Sequence, residues 1–231
     1  MNIVLLPGLD GTGLLFEPLC QSFSTDAQTV IFDYPPDRET TYDDLAEHIL
    51  PQLPKHEPYI LLGESYGGPL SLKLAENNPA GLRGLILSAS FVTCPHGYIP
   101  AWSANLIVPA MFYPAPSLAK LKSLVGRYST PEIRALISRS LTTVAPAVVA
   151  SRVKEVINID VTRELVACPV PIMYIQAMHD YVVPSGNLER IKELRPDVEV
   201  AQIEAPHMIL QTQPLLAAEI IEKFANAQEK I

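Results

Sequence analysis

The sequence predicts an α/β protein with a mostly parallel, doubly wound sheet of about six strands and a helical cap insertion. Short apolar runs bounded by turn residues alternate with segments of helical periodicity, which is typical of a parallel sheet covered on both faces. One long stretch, between Ser90 and Cys168, interrupts this alternation and contains no clear strand. The chain has 231 residues, 48% of them hydrophobic, so it is long enough to bury a substantial core.

Strands are predicted where short apolar and β-branched runs end at turn residues. These runs are Ile3–Leu6, Val30–Asp33, Tyr59–Leu62, Leu82–Ser88, Val170–Ile175 and Val198–Ile203. Helices are predicted between them by apolar residues at helical spacing or by stop signals. The predicted helices are Tyr42–Leu53, Leu70–Ala75 and a final helix from about Pro214 to Ala227.

The interruption carries helical segments instead of strands, with the sequences AWSANLIVPAMF, SLAKLKSLVGRY, STPEIRALISRSL and PAVVASRVKEVIN. The third begins at a capping residue, Ser129 or Thr130, followed by proline and glutamate. A helical insertion between two strands predicts a cap over the edge of the sheet. We therefore expect a core made of residues 1–90 and 168–231, with residues 91–167 as the cap.

Composition excludes several classes of function. The net charge is -8 and no basic run is present, which argues against nucleic acid or an anionic membrane surface as a partner. The N-terminus, MNIVLLPGLDG, lacks a basic signal-peptide region, and no stretch reaches the ~18 apolar residues of a membrane span, so we expect a cytoplasmic protein. Cys20, Cys94 and Cys168 match no disulfide or zinc spacing. We expect no metal or organic cofactor, and the sequence specifies no oligomeric state.

A serine between two glycines is the first candidate for chemistry. Gly63-Glu64-Ser65-Tyr66-Gly67 has the pattern G-x-S-x-G and stands between a predicted strand and a predicted helix. A tight strand-to-helix turn holds such a serine in a strained backbone conformation and excludes bulky neighbours. Ser65 is therefore a candidate nucleophile at the carboxyl end of its strand, where open α/β sheets bind ligands.

A serine nucleophile needs a base and a group that orients the base. His207 follows the sixth predicted strand, whereas Asp180 follows the fifth and stands next to His179. Loops after parallel strands open on one edge, so Asp180 can orient His207 while His207 deprotonates Ser65. We favour His207 over His179 as the base because neighbouring side chains diverge, so His179 cannot easily receive the Asp180 carboxylate.

Other residues remain as alternatives for these roles. Asp160 and Glu204 could replace Asp180 as the orienting acid. His48 and His56 are expected on the surface, and His96 in a turn at the start of the insertion.

An oxyanion hole is predicted beside the serine, because acyl transfer develops negative charge on a carbonyl oxygen. One donor would be the backbone N–H of Tyr66, and the other the N–H of Leu9 in the glycine-rich loop LPGLDGTG. That loop could also cradle phosphate, but it matches neither nucleotide-binding glycine pattern and contains an aspartate that would repel phosphate.

With these motifs placed, the sequence resembles the α/β-hydrolase superfamily along essentially its whole length. The segments LPGLDGTG, GESYGG, HDYVVP and APHMILQTQP carry the resemblance, each after the strand where the family places it. The resemblance implies Ser65 as nucleophile, Asp180 as acid, His207 as base, and Leu9 with Tyr66 as oxyanion donors. It also implies that the helical insertion is the family's cap.

Two departures from the family pattern concern the start of the chain. Pro7-Gly8 stands where many members have histidine-glycine, and the first predicted strand lies almost at the start of the sequence, where many relatives carry an additional antiparallel hairpin. The opening segment also looks like that of plastid-type acyltransferases of the superfamily, which join fatty acyl groups to alcohols.

The insertion is apolar and aromatic, which predicts an apolar acyl or alkyl pocket. We expect Phe91, Tyr98, Trp102 and Phe112 to line it. The first functional hypothesis is a serine hydrolase that cleaves carboxylic esters of small or medium apolar substrates. The alternatives are an acyltransferase or thioesterase with the same triad and, on this fold, a non-catalytic binding protein.

Overall fold

The computed structural model describes residues 1–24, 27–112 and 124–229, and its centre is a six-stranded sheet in which every neighbouring pair is parallel. The strands are β1 (Asn2–Leu6), β2 (Gln28–Ile31), β3 (Tyr59–Glu64), β4 (Leu82–Ser88), β5 (Ile172–Ala177) and β6 (Glu199–Ile203). The predicted fold class is therefore confirmed.

The strand order is β2-β1-β3-β4-β5-β6, so the winding direction changes beside β1. From β1 the chain moves outward to β2, and then returns to add β3 on the other side of β1. The loops after β1 and β3 separate at this switch and leave a crevice at the carboxyl ends of the strands.

The α-helices of the described residues cover both faces of the sheet or belong to the insertion. They are α1 (Glu17–Cys20), α2 (Tyr42–Ile49), α3 (Gly67–Glu76), α4 (Pro131–Thr143), α5 (Pro146–Asn158), α6 (Thr162–Ala167), α7 (Gly186–Leu194), α8 (Ile209–Thr212) and α9 (Pro214–Gln228). The predicted helix Tyr42–Leu53 ends as an α-helix at Ile49 and continues as a 3-10 turn over Leu50–Gln52.

The core is divided by the sheet because successive side chains of a strand point to opposite faces. On one face Val4 and Leu6 pack in the cluster that contains residues of α2, α3, α6 and α7. On the other face Ile3 and Leu5 pack with residues of α1, α8 and α9. Burial on both faces explains why the central strands are continuous apolar runs rather than alternating ones.

The insertion between β4 and β5 consists of short turns followed by longer helices. AWSANLIVPAMF forms 3-10 turns at Ala101–Leu106 and Pro109–Phe112, and most of SLAKLKSLVGRY lies outside the described residues. Thr130 caps α4 by accepting a hydrogen bond from the Ile133 N–H at 3.2 Å. The last helix before β5, α6, packs against α3 in the core layer rather than over the edge of the sheet.

No single helix of the described residues is long and apolar enough to cross a bilayer; only α4 and α5 reach that length and composition together, bent by 97°. The three cysteines are free thiols. Among residues 1–24, 27–112 and 124–229, no group of His, Cys, Asp and Glu side chains is arranged to hold a metal ion.

Candidate active site

Ser65 occupies the turn between β3 and α3, with φ at 49° in the left-handed region that non-glycine residues rarely adopt. Hydrogen bonds hold this strained backbone. The Ser65 N–H donates to Ser88 O at 2.9 Å, and Ser65 O accepts from Gly68 N at 3.0 Å and from Ser90 Oγ at 2.7 Å. The side chain stays partly exposed, so its hydroxyl can be reached by a substrate.

The glycines on both sides of Ser65 are explained by close backbone packing. A Cβ atom on Gly63 would lie 2.6 Å from the carbonyl carbon of Gly67. A Cβ atom on Gly67 would lie 2.8 Å from Pro7 O, in the loop after β1. Either substitution would push β3, α3 and the first loop apart, so the glycines keep the turn tight.

The structure brings Ser65, His207 and Asp180 together from the loops after β3, β6 and β5. His207 Nε2 lies 3.1 Å from Ser65 Oγ, and His207 Nδ1 lies 2.8 Å from Asp180 Oδ2. The other Asp180 oxygen accepts the N–H groups of Val182 and Val183, both at 2.8 Å. With Asp180 as an acceptor, the proton of neutral His207 belongs on Nδ1, so Nε2 is free to accept the serine proton.

The alternative acids and bases lie elsewhere. The His179 imidazole is exposed and its Nε2 pairs with Glu204 Oε2 at 2.8 Å. The Asp160 carboxylate is exposed and accepts both the N–H and the hydroxyl of Thr162. The structure therefore places His179, Glu204 and Asp160 in local contacts of their own and not beside Ser65.

Leu9 and Tyr66 present the backbone N–H groups expected for an oxyanion hole. Both residues line the cavity that contains Ser65, and neither N–H donates to another described residue. Leu9 follows Gly8, where a Cβ would lie 3.8 Å from the Cβ of Ser65, so the loop passes directly beside the serine. The Tyr66 ring is buried and stacks on Tyr42 at 4.3 Å between centroids.

The cavity above Ser65 has a volume of about 220 Å³ and mainly apolar walls. Its roof consists of aliphatic side chains of the insertion, namely Leu124, Ile137, Leu141, Val153 and Val156. Leu15, Val182, Val183 and Met208 add further apolar surface from the core. Such a cavity fits an apolar group attached to the carbonyl that reaches Ser65.

Of the aromatic residues expected in the pocket, Phe91 alone lines this cavity. The predictions for Tyr98 and Trp102 are wrong, because these side chains are 82% and 65% exposed on the outer surface. Phe112 packs instead against Val144, Val148 and Val149 at the start of α5. In the 3-10 turn Ala101–Leu106, the small side chain of Ala104 is buried and Trp102 is left exposed.

Comparison with known protein families identifies the family to which this chain belongs. A sequence-family model described as "Serine aminopeptidase, S33" matches residues 33–210. The chain belongs to this family. It is therefore a hydrolase with the α/β-hydrolase fold, and the resemblance to that superfamily is confirmed. No curated protein sequence matches this hydrolase.

Solved structures share the fold of this hydrolase at low sequence identity. Bromoperoxidase from Bacillus anthracis has a TM-score of 0.82 at 16% identity, over 97% of this chain and 91% of that one. An esterase from Exiguobacterium antarcticum has a TM-score of 0.80 at 18% identity, over 98% and 92%. The enol-lactonase from Burkholderia xenovorans LB400 has a TM-score of 0.78 at 16% identity, over 97% and 91%. Their different names show that this fold serves several reactions.

Two carboxyl groups of this hydrolase line the cavity, and sequence reasoning assigned neither of them a role at the site. Glu64, the residue before the nucleophile, is buried and accepts a hydrogen bond from Gln211 Nε2 at 3.0 Å. Burial raises the pKa of the Glu64 carboxyl to about 7, although the bond from Gln211 opposes this rise. A sequence signal for Glu64 was available, since this residue comes two positions after the predicted strand Tyr59–Leu62 and directly precedes Ser65.

The second carboxyl, Asp10, belongs to the glycine-rich loop. It is buried and accepts the N–H of Thr12 at 3.0 Å, the hydroxyl of Thr12 at 2.6 Å and Ser140 Oγ at 2.8 Å. Ser140 lies on α4, so the insertion binds the loop that carries the Leu9 N–H. No local sequence pattern indicates this contact, because it joins residues 130 positions apart.

Proposed function

We propose that this hydrolase cleaves carboxylic esters of small or medium apolar acyl groups through an acyl-enzyme on Ser65. The observation that supports this proposal is the chain of hydrogen bonds from Asp180 through His207 to Ser65, at the floor of an apolar cavity. A serine hydroxyl becomes nucleophilic when an adjacent base takes its proton and a third group orients that base.

In the first half of the reaction, Ser65 Oγ attacks the ester carbonyl carbon while its proton moves to His207 Nε2. The negative charge of the tetrahedral intermediate develops on the former carbonyl oxygen, where the N–H groups of Leu9 and Tyr66 can donate to it. The intermediate collapses as the bond to the alcohol oxygen breaks and His207 gives its proton to that oxygen. Asp180 stabilises the imidazolium formed between these steps.

In the second half, water replaces the alcohol. His207 removes a proton from the water, whose oxygen attacks the acyl carbon of the ester formed with Ser65. The bond between that carbon and Ser65 Oγ then breaks, the proton of His207 returns to Oγ, and the carboxylic acid leaves.

The apolar walls of the cavity favour acyl transfer as an alternative outcome of the second half of the reaction. Walls that exclude water allow an acceptor alcohol to take the acyl group, which is acyl transfer. A thioester substrate would use the same residues, with a thiol as the leaving group. These alternatives share the first half of the reaction and differ in the acceptor or in the leaving group.

The test is turnover of p-nitrophenyl esters of rising acyl length by the purified chain, with Ser65→Ala protein as the control. Acyl thioesters, amino-acid p-nitroanilides and an added alcohol acceptor complete the set. Acid release that peaks at one acyl length supports the proposal. More acylated alcohol than free acid would favour acyl transfer. Faster turnover of the p-nitroanilides than of any ester, or no turnover of any acyl compound, contradicts ester hydrolysis.

A further inference from the structure

Arg152 is a charged side chain that lies buried outside the group of three reacting residues. It lies on α5 of the insertion, is fully buried, and extends to the glycine-rich loop after β1. Its Nη1 donates to Leu9 O at 3.0 Å and to Asp10 O at 2.7 Å. Its Nη2 donates to Pro35 O at 3.0 Å.

The contacts of this guanidinium do not explain its burial by a gain in stability alone. Within the part of the chain that the structure describes, no carboxylate lies within ion-pair distance, and the buried Nε has no acceptor. The group instead lies over the Tyr34 ring, 5.4 Å from its centroid. Removing a charge from water without an ionic partner costs several kcal/mol. A role beyond packing would account for its presence.

The loop is shaped to receive Arg152. Gly11 has φ at 68°, and a Cβ on it would lie 2.8 Å from the Arg152 Cζ and 2.7 Å from a ring carbon of Tyr34. Tyr34 in turn donates its hydroxyl to Pro7 O at 3.0 Å and its N–H to Gly11 O at 2.7 Å. The arginine and the tyrosine thus both bind backbone groups of the loop.

These bonds determine which way the peptide groups of the loop face. The Leu9 N–H shares a planar peptide group with Gly8 O, and that oxygen accepts the Gly11 N–H at 3.1 Å in a tight turn. Arg152 binds the two carbonyls inside this turn, Leu9 O and Asp10 O, and so restricts rotation on the carboxyl side of Leu9. The Leu9 N–H itself lies beside Ser65 and donates to no described residue. We propose that Arg152 is a positioning residue that aims the Leu9 N–H at the oxyanion formed during acyl transfer. This inference rests on the proposed function, because it assigns a task within that reaction.

A second contact supports the same role for the insertion. Ser140 on α4 donates to Asp10 Oδ2, and the same oxygen accepts the hydroxyl and the N–H of Thr12. Two insertion helices therefore hold the loop, one through its carbonyl groups and one through a side chain. Beyond covering the cavity, the insertion thus holds the loop that carries one of the two oxyanion donors.

The test compares Arg152→Met and Arg152→Lys with Arg195→Met. Arg195 is a matched control, since its Nη1 also donates to two backbone carbonyls, Leu165 O at 3.1 Å and Cys168 O at 2.8 Å. We expect the Arg152 variants to lose about 10- to 100-fold in kcat with KM within about twofold, because a misplaced donor weakens the transition state rather than ground-state binding. Arg195→Met should lower Tm and leave kcat unchanged.

A trifluoromethyl ketone separates positioning from a merely structural effect. Its adduct with Ser65 carries an oxyanion, so its affinity should fall in parallel with kcat/KM in the Arg152 variants and not in Arg195→Met. Folded Arg152→Met with normal kcat and normal ketone affinity overturns the inference, as does a fall in kcat without a loss of ketone affinity. If Arg152→Met does not fold, Arg152→Lys decides by the same criteria. It keeps the charge, but its one nitrogen replaces the two that reach Leu9 O, Asp10 O and Pro35 O in the wild type. Wild-type protein that neither cleaves esters nor binds the ketone contradicts the proposed function itself.

Discussion

The two halves of the candidate site are built in different ways. The half on the sheet holds Ser65, Asp180 and His207 at the ends of three strands, where their hydrogen bonds to one another are short. The half on the insertion provides aliphatic walls and, through Arg152 and Ser140, bonds to the first loop. In the proposed mechanism, bond making belongs to the sheet, whereas the insertion governs which acyl group fits and how the oxyanion donor is held.

Removal of the nucleophile is the most severe test of the half on the sheet. We expect Ser65→Ala to lower kcat for ester hydrolysis by roughly 10³-fold or more, because no acyl-enzyme can form. The fold should persist, since the serine side chain makes no bond besides that to His207 among the described residues. Steady-state kinetics and circular dichroism measure both quantities. Near-normal turnover by the purified variant would refute the mechanism.

The orienting carboxylate should matter almost as much. We expect Asp180→Asn to lower kcat by roughly 10²-fold or more, because the amide no longer fixes the Nδ1 proton of His207. Asp160→Asn is the matched control, since that carboxylate bonds only to Thr162. Kinetics of both variants on one ester check the assignment. A harmless Asp180→Asn with an impaired Asp160→Asn would move the acid to Asp160.

The half on the insertion should control acyl length with a smaller effect. Leu141→Ala enlarges the cavity, so we expect the preferred p-nitrophenyl ester to become longer, with relative kcat/KM for long esters rising about tenfold. Trp102→Ala is the control, because that ring is exposed and lies outside the cavity. A chain-length series on each variant measures the shift. An unchanged profile in Leu141→Ala, or an equal shift in both variants, would show that this cavity does not bind the acyl group.

Glu64 should affect stability rather than chemistry. Burial raises its folded-state pKa from the ordinary 4.5 to about 7, so between these values the folded chain holds a proton that the unfolded chain has lost. The Glu64 contribution to the free energy of unfolding is therefore full below pH 4.5 and declines as the pH rises through 7. Between pH 5 and pH 8, the free energy of unfolding of the wild type should fall on the order of 2 kcal/mol further than that of Glu64→Gln. Urea titrations of both proteins at the two pH values would measure this difference. Identical pH profiles for the two proteins would exclude this origin.

The sequence predicts the half on the sheet far better than the half on the insertion. The central strands are continuous apolar runs because they are buried on both faces, whereas the edge strands β2 and β6 are largely exposed. Ser65, Asp180 and His207 each come shortly after a predicted strand. The helix Gly186–Leu194 was missed because only Leu188 and Ile191 are buried, which is too weak a periodic signal. Composition also cannot tell which side chains of a turn are buried, so the pocket predictions for Tyr98, in an exposed turn, and Trp102, in the 3-10 turn Ala101–Leu106, were wrong.

Long-range contacts are the other part that local patterns do not encode. The bond from Arg152 to Asp10 O joins residues 142 positions apart, and only the packing of α5 on the first loop creates it. The glycine-rich loop predicted a close backbone approach, but nothing in it indicates an arginine partner.

The central claim is that His207 activates Ser65 as a nucleophile. Its most direct test is the rate of labelling by an aryl fluorophosphonate, followed by intact mass and by mapping of the modified peptide, in wild-type and His207→Ala protein. The account predicts one adduct per chain, on Ser65, and a rate of labelling that falls by at least about 10²-fold without the imidazole. No adduct on folded wild-type protein, an adduct elsewhere, or equal rates in the two proteins would contradict it.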